Sequence, residues 1–406
     1  MLKKIRVEEL TLGMHIHELC GSWIDHPFWR SKFVVTDPED LRRVRECGIT
    51  ELWIDIAKGL DVNALSDIAE TGELARLEPM ALMAAPRDES SKWVPMAEEL
   101  KRAAKLVTKG KKAVSLMFQE VRMGKAISSD AAGELVEDIT TSVMRNPGAL
   151  INLARLKTVD DYTYMHSVAV CALMVALAKQ LNLDEQLTRQ SGLAGLLHDM
   201  GKALMPEGIL NKPGKLSNEE FAIVKRHPVQ GHKALLEGGS VGEIPLDVCL
   251  HHHEKINGTG YPDRLAGDQI SLYAKMGAVC DVYDAVTSNR PYNVGWNPAD
   301  TISKMTDWCN GHFDEKIFQA FVKCIGIYPV GSLVRMKSGR LGVVVEQSEK
   351  SLLTPTVKVF FSTKSQAHIK PEVHVLSQPG TAEKIAGRED PNNWGFINLE
   401  QLWLQL

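Results

Sequence analysis

The sequence predicts a mainly α-helical protein, with a small α+β module before the helical core and a short β-rich segment after it. Three observations predict this fold class. The 406 residues are enough for two or three domains. Hydrophobic residues make up 44% of the chain and charged residues 24%, as in packed globular domains. Between residues 97 and 328 the pattern is helical, whereas β-like runs lie toward the two ends.

The N-terminal module is predicted over residues 1–80. It contains the β-like runs KIRV, KFVV and ELWID, and an amphipathic helix over residues 38–47 that Gly48 closes. Residues 81–96 carry two prolines and a charged patch, and they are predicted to form a linker.

The helical core, residues 97–328, is predicted to begin with a helix over residues 98–125 that carries eight lysines and arginines. A basic helix of this kind suits a phosphate or membrane surface, or it is a solvated face opposite a buried stripe. The second interpretation is favoured, because Gly110 is expected to interrupt the helix and no aromatic residue anchors it in a membrane. The stripe recurs every seven residues, which also permits a homodimer seam. Its members are Leu100, Val107, Val114 and Val121.

The C-terminal segment, residues 329–406, is predicted to be β-rich. Its runs SLVRMKSGRLGVVVEQ and TVKVFFSTK surround a turn at Ser338 and Gly339. The pattern leaves open whether this segment is a lid, a dimer element or a brace for the core.

Charge and hydropathy exclude several classes of protein. A net charge of −4 is not that of a strongly basic nucleic-acid binder, so no DNA partner is expected. The longest apolar run, residues 168–178, falls short of the roughly 20 residues that span a bilayer. The first residues, MLKKIRVEEL, contain two lysines but no apolar stretch after them, so we expect no secretory signal here. Seven scattered cysteines without a C-x-x-C pair indicate reduced thiols, so we expect a cytoplasmic protein without a membrane span.

Histidines and carboxylates cluster in the second half of the core. Of thirteen histidines, seven fall between His166 and His253. A lone His-Asp pair such as His198-Asp199 is common in cores, and neighbouring residues project about 100° apart on a helix. They converge on one pocket if Asp199 reaches between two ions. Combined with the HHHE cluster and the later Asp281, the pair predicts a site for divalent metal ions.

Four motifs in order carry a specific resemblance: HDMGK, then His227, then HHHEKINGTGYP, then DVYDAVTSNRPY. This combination resembles the HD-GYP family of cyclic di-GMP phosphodiesterases over residues 160–328. The family fold is a helical HD-type metal-dependent phosphohydrolase core. The stretch GSWIDHPFWRSKFVV with ELWIDIAKG resembles a domain of unknown function found ahead of some HD-GYP domains.

The resemblance implies a binuclear metal site, because Tyr162 stands where members with a third metal have a glutamate. Asp199 would bridge the ions, which we expect to be Fe or Mn, with Zn, Ni or Co as alternatives. The first ion would be held by His166, His198, Asp199 and Asp281, and the second by Asp199, His227, His252 and His253. His251 is then a neighbour of the ligands.

The implied reaction is hydrolysis of cyclic di-GMP to pGpG, GMP or both, with a metal-bridging hydroxide as nucleophile. Lys202 would stabilise the phosphorane charge or protonate the leaving oxygen. Arg290 would bind the second phosphate. Gly260 and Tyr261 would form the lip of the cleft.

Two positions depart from the family pattern. Asn257 replaces the usual aspartate ahead of GxGYP, and Asn293 replaces a lysine that often follows RPY. Losing that cation is expected to weaken one phosphate contact at position 293. Two alternatives therefore stay open: a cyclic di-GMP receptor with weak turnover, and a phosphodiesterase for another cyclic dinucleotide. Cyclic di-GMP is the expected partner, with a second copy, a diguanylate cyclase or another signalling protein as further candidates.

Overall fold

The computed structural model describes most of the chain from residue 93 onward and short parts of the segment before it. The described residues are 2–10, 13–19, 33–35, 41–42, 44–45, 51–55, 58, 93–157, 162–212, 214–239, 241–288, 295–309, 311–348, 351–396 and 398–404. Within these ranges the protein is mainly helical, with one small sheet near each end. The predicted fold class is confirmed.

The N-terminal sheet has four antiparallel strands in the order β1-β4-β2-β3. They are β1 (Leu2–Arg6), β2 (His15–Leu19), β3 (Phe33–Val34) and β4 (Glu51–Asp55). Strand β4 coincides with the predicted run ELWID, and β1 and β3 overlap the runs KIRV and KFVV, whereas β2 was not predicted. Residues 41–42 and 44–45 are helical, as expected, and the rest of the predicted helix with Gly48 lies outside the described residues. Alternate residues such as Ile5, Leu52 and Ile54 are buried in a core of their own.

The helical core follows from residue 96. Its helices within the described ranges are α1 (Met96–Arg122), α2 (Ser129–Arg145), α3 (Pro147–Arg155), α4 (Tyr162–Gln180), α5 (Glu185–Leu197), α6 (Glu207–Leu210), α7 (Asn218–Val224), α8 (His227–Gly238), α9 (Glu243–His251), α10 (Leu272–Thr287), α11 (Pro298–Trp308) and α12 (Glu315–Ile325). A 3-10 helix, Met200–Leu204, follows α5.

Helix α4 is the centre of this core. Every residue from Met165 to Ala178 is buried, so the helix is apolar all round, as expected of an element that other helices enclose. By length and composition alone it could cross a membrane, but 78% of that stretch is buried inside the protein. The eleven-residue apolar run is therefore a core helix.

Helix α1 buries the predicted stripe within the chain's own core. Leu100, Val114 and Val121 are buried, and Val107 packs against the same cluster, so this stripe is not available as a dimer seam. The expected break at Gly110 was wrong. The helix continues because α4 passes close by, and a Cβ at Gly110 would lie 3.0 Å from Val168 Cγ2.

The C-terminal sheet has the order β8-β7-β6-β5-β9, all antiparallel. Its strands are β5 (Leu333–Met336), β6 (Arg340–Glu346), β7 (Thr356–Ser362), β8 (Ala367–Val375) and β9 (Ile385–Arg388). Gly339 takes a φ of +80° in the predicted turn. Residues of the sheet belong to both helical hydrophobic clusters, and Glu346 accepts a hydrogen bond from the Met96 backbone (3.2 Å). The sheet therefore braces the helical core.

Candidate metal centre

Most of the predicted ligands sit where helices begin or end. His198 and Asp199 follow the last residue of α5, His227 is the first residue of α8, and His252 and His253 follow α9. His166 and Asp281 lie inside α4 and α10. Six of these seven residues are at most 6% exposed. His253 is the exception, with 23% of its side chain exposed.

The first group comprises His166, His198 and Asp199, whose ligand atoms all lie within 4.8 Å of one another. Asp199 Oδ2 is 3.4 Å from His166 Nε2 and 3.3 Å from His198 Nε2. Asp281 Oδ1 approaches the same two nitrogens at 3.0 and 3.8 Å. Four side chains from two helices and one helix junction thus meet in one buried pocket.

The second group comprises His227, His252 and His253. Asp199 Oδ1 lies 3.2 Å from His227 Nε2 and 3.8 Å from His252 Nε2. His253 Nδ1 is 3.9 Å from Asp281 Oδ2. Since Oδ2 of Asp199 faces the first group and Oδ1 faces the second, this carboxylate stands between the two.

Backbone carbonyls orient three of the imidazoles. Each ring directs Nδ1 to a carbonyl three or four residues earlier, and a carbonyl only accepts, so Nδ1 carries the proton. In the neutral ring each Nε2 then has its lone pair directed toward the pocket. The pairs are His198 with Gly195 (2.8 Å), His227 with Val224 (2.7 Å) and His252 with Val248 (2.9 Å).

A cation fits this pocket. His198 Nε2 and Asp199 Oδ1 are buried and have no hydrogen-bond partner among the described residues. Buried polar atoms are normally hydrogen-bonded, so one such atom toward each group indicates that a cation would be their partner. Imidazole nitrogens and carboxylate oxygens suit divalent ions such as Fe, Mn, Zn, Ni or Co.

Charge is concentrated in this pocket. Burial disfavours ionisation of Asp199, but Lys202 and the imidazoles of His198 and His227 outweigh it and hold the pKa of this carboxyl well below the usual range. Burial likewise disfavours ionisation of Asp281, but neighbouring imidazoles, foremost those of His166 and His198, hold its pKa well below the usual range. Burial also opposes protonation of His198, yet the Asp199 carboxylate raises the pKa of that ring to about 10. Burial lowers the pKa of His253 to about 3. Two anionic carboxylates in a closed pocket attract cations.

Gly201 brings the two groups together. A Cβ at this position would overlap the carbonyl oxygen of His227 and would lie 2.6 Å from the Gly231 nitrogen. The backbone after Asp199 therefore lies directly against the first turn of α8. This contact places His227 beside Asp199.

The predicted cleft lip lies over the second group. Gly260 lies against the backbone after α9, where a Cβ would be 2.5 Å from Glu254 Cα. The ring of Tyr261 stacks on His253 with centroids 4.7 Å apart. Lys225 Nζ lies 5.3 Å from the Tyr261 ring centroid. Lys202, with 24% of its side chain exposed, donates to Asp199 Oδ2 at 2.5 Å.

The remaining predicted positions lie apart from the ligands or outside the described residues. Arg290 and Asn293 lie outside the described residues. Asn257 Oδ1 accepts from the backbone nitrogen and hydroxyl of Thr259, at 3.1 and 2.6 Å, so its side chain shapes the loop. The ring nitrogens of His251 contact Asp247 (2.7 Å) and Asp263 (3.1 Å), away from the two groups.

Sequence reasoning assigned no role to two residues that the structure puts beside the site. Asp284 Oδ2 lies 2.6 Å from His166 Nδ1, and Lys157 Nζ forms an ion pair with the same oxygen. The spacing of Asp284, three residues after Asp281 on α10, was a signal that could have found it. Lys157 had no such signal, because it is 127 residues from Asp284.

The helical fold and the paired His/Asp groups define a metal-dependent phosphohydrolase of the HD class. Residues 2–132 match a domain of unknown function (DUF3391), and residues 143–317 match the HD domain. The first match includes α1, beyond the predicted module end at residue 80. The chain belongs to the HD-GYP family of cyclic di-GMP phosphodiesterases.

Membership rests on a relative that matches from end to end. A cyclic di-GMP phosphodiesterase of Pseudomonas aeruginosa is 53% identical over 407 residues, covering 100% of this chain and 96% of that protein. The cyclic di-GMP phosphodiesterase response regulator RpfG of Xanthomonas campestris is 39% identical over 36% of this chain and 39% of its own length. A 3'3'-cGAMP-specific phosphodiesterase of Vibrio cholerae is 36% identical, over 40% of this chain and 38% of that protein.

Proposed function

We propose that this chain hydrolyses the phosphodiester bonds of cyclic di-GMP, giving pGpG, GMP or both, with two divalent metal ions. The observation that carries the proposal is the Asp199 carboxylate, whose two oxygens face two separate groups of imidazoles. A relative that is named a cyclic di-GMP phosphodiesterase and matches over 96% of its own length supports cyclic di-GMP as the substrate.

Each ion has a ligand set in the proposal. The first would be held by His166, His198, Asp199 and Asp281, and the second by Asp199, His227, His252 and His253. Fe or Mn is the preferred pair, and Zn, Ni or Co suits the same donors. Divalent ions in such a pair activate water as a nucleophile and neutralise the charge on phosphate oxygens.

Lys202 is proposed to act on the phosphate. Its ammonium contacts Asp199 and is part exposed, so it can both hold that carboxylate in place and reach a substrate above the pocket. A cation there would stabilise the extra negative charge of the transition state or donate a proton to the leaving ribose oxygen.

The lip of the cleft is proposed to bind the rest of the substrate. One face of the Tyr261 ring stacks on His253, and Lys225 lies against the ring of Tyr261. A nucleotide that enters the cleft would therefore contact an aromatic side chain and a cation together. Gly260 allows this lip to approach the ligand-bearing backbone. Arg290 and Asn293 stay predictions from the sequence for the second phosphate.

A 3'3'-cGAMP phosphodiesterase is the second candidate, because a relative of that name is 36% identical over 171 residues. A receptor with weak turnover is the third, and Asn257 and Asn293 motivate it. Against the receptor, the side chain of Asn257 bonds within its own loop and leaves the two metal-binding groups intact. The diguanylate cyclase partner, the cytoplasmic location and the division at residues 80, 96 and 328 are proposals that the sequence alone supports. The homodimer stays a proposal, but the stripe on α1 no longer supports it, because that stripe is buried within the chain.

The test is anaerobic purification with metal analysis, followed by incubation with cyclic di-GMP and with 3'3'-cGAMP and chromatography of the products. Two metals per chain with pGpG or GMP formed faster from cyclic di-GMP is the expected result. Faster hydrolysis of cGAMP would favour the second candidate. Tight binding of cyclic di-GMP without product would favour the receptor, and a metal-free active protein would overturn the proposal.

A further inference from the structure

We propose that Lys157 is a positioning residue of the metal centre, acting through Asp284 on His166. Its side chain is fully buried, and that of Asp284 is 3% exposed. A buried lysine is rare and costly unless it is paired. Here the pairing oxygen is Asp284 Oδ2, the same atom that lies 2.6 Å from His166 Nδ1. The ammonium and the imidazole therefore meet at one oxygen.

This shared oxygen determines which way His166 presents its lone pair. A carboxylate only accepts, so Nδ1 of His166 donates its hydrogen to Asp284, and Nε2 is the ring nitrogen that would bind an ion. That Nε2 is the atom 3.0 Å from Asp281 Oδ1 and 3.4 Å from Asp199 Oδ2, inside the first ligand group. Carboxylates that hold a metal-binding histidine in this way set its ring orientation and basicity.

Lys157 fixes the carboxylate that does the orienting. Within the described residues, the other oxygen of this carboxylate, Asp284 Oδ1, accepts one long hydrogen bond, from Ser288 Oγ at 3.4 Å. The ammonium therefore supplies the strong restraint on this side chain. Tyr162 completes the arrangement, since its ring stacks parallel on His166 (centroids 5.9 Å apart) and lies 5.2 Å from Lys157 Nζ. These contacts of Lys157, Asp284 and Tyr162 lead to His166, which belongs to the first metal-binding group. None of them involves a residue of the second group.

This selectivity distinguishes positioning from a purely structural role. Loss of the ammonium leaves Asp284 a buried carboxylate without its counter-charge, so the side chain is expected to turn and release His166. The first group then loses the ligand His166, whereas the second group keeps all of its ligands, His227, His252 and His253. The inference rests on the proposed metal centre and is independent of which cyclic dinucleotide is cleaved.

The test is Mn²⁺ titration of the full-length metal-free protein by calorimetry, with metal content measured by mass spectrometry. In Lys157→Met we expect one Mn²⁺ bound as in the wild type and the other about 10–100-fold more weakly. Lys157→Met/Asp284→Asn removes both charges and keeps an acceptor for His166. This double variant should therefore bind the weakened Mn²⁺ at least tenfold more tightly than Lys157→Met does. Lys109→Met, which breaks an exposed Lys–Asp138 pair, is the matched control and should bind two ions as the wild type does.

Two wild-type sites in Lys157→Met, or equal weakening of both sites, would overturn the inference. If the single variant does not fold, the double variant decides alone: two tight sites support the inference, and fewer overturn it. A wild-type protein that binds no Mn²⁺ or Fe²⁺ would instead remove the proposed metal centre, and this inference with it.

Discussion

Replacing Gly201 with alanine tests whether one backbone contact sets the distance between the two metal-binding groups. The added Cβ would overlap the His227 carbonyl and lie 2.6 Å from the Gly231 nitrogen. Ordinary contact begins at 3.4 Å, so the two backbones must separate by about 0.8 Å at Gly231 and by more at His227. His227 begins α8 and Asp199 precedes the 3-10 helix, so the separation changes their 3.2 Å spacing directly.

The size of the effect follows from that displacement. Overpacking a filled site costs about 1–3 kcal/mol in the free energy of unfolding. A misplacement of about 1 Å among reacting groups costs roughly 100-fold in rate. We therefore expect Gly201→Ala to lose about 1–3 kcal/mol of stability and about 100-fold in kcat, with weaker binding of the ion that His227 would hold.

Gly133→Ala is the matched control, because position 133 lies inside α2 with nothing within 4 Å of an added Cβ. The same substitution there should stabilise the protein by about 0.5–1 kcal/mol and leave kcat unchanged. Stability is measured by urea unfolding and activity by chromatography of pGpG. If Gly201→Ala matched the wild type in both, the contact would not position His227 and the reasoning would be refuted.

Three further outcomes follow from the same contacts. Asp199→Ala should remove both metal ions and all activity, since each oxygen serves a different group; two metals retained on elemental analysis would contradict the shared role. Asn257→Asp should leave kcat and KM within about twofold, because the Asn257 carbonyl already accepts both bonds from Thr259; a tenfold change in steady-state kinetics would refute this. Arg145 and Ser142 outweigh burial and lower the pKa of Glu99, so Glu99 stabilises the fold above its unfolded pKa near 4.5 and loses that contribution as pH falls through the lower folded value. In metal-free protein, Glu99→Gln should therefore unfold at lower urea than the wild type at pH 7, and the gap should close in acid; a gap that widens would reverse the sign.

The residues that cluster in the candidate metal centre could be predicted from the sequence, because the motifs contain them. HDMGK, HHHE and the later DVYD each place the right donor atoms beside one another along the chain. Helix and strand patterns were likewise sufficient for the fold class, since each depends on local periodicity. Strand β2 was missed because its run HIHEL alternates with histidine and glutamate, which do not mark a strand by hydropathy.

The contacts that fix the site were not predictable, because they join distant parts of the chain. Nothing local marks Lys157 as the partner of Asp284. The expected break at Gly110 failed for the same reason: glycine weakens an isolated helix, but here it lets α1 pass close to Val168 of α4. In both cases, the Lys157–Asp284 pair and the unbroken helix at Gly110, the result depends on a packing partner far away in the chain, and a single sequence does not show which residue that partner is.

The junction after α5 shows how local and distant constraints combine at the site. On a continuous helix His198 and Asp199 would diverge by about 100°. The α-helix instead ends at Leu197, and Asp199 has φ −102° and ψ 11° before the 3-10 turn begins. Leaving the helix at this residue lets both side chains point into one pocket, and Gly201 then permits the turn to pack on the start of α8. The Asp199 carboxylate thus faces both groups of imidazoles at a point where the chain changes direction between His198 and Gly201.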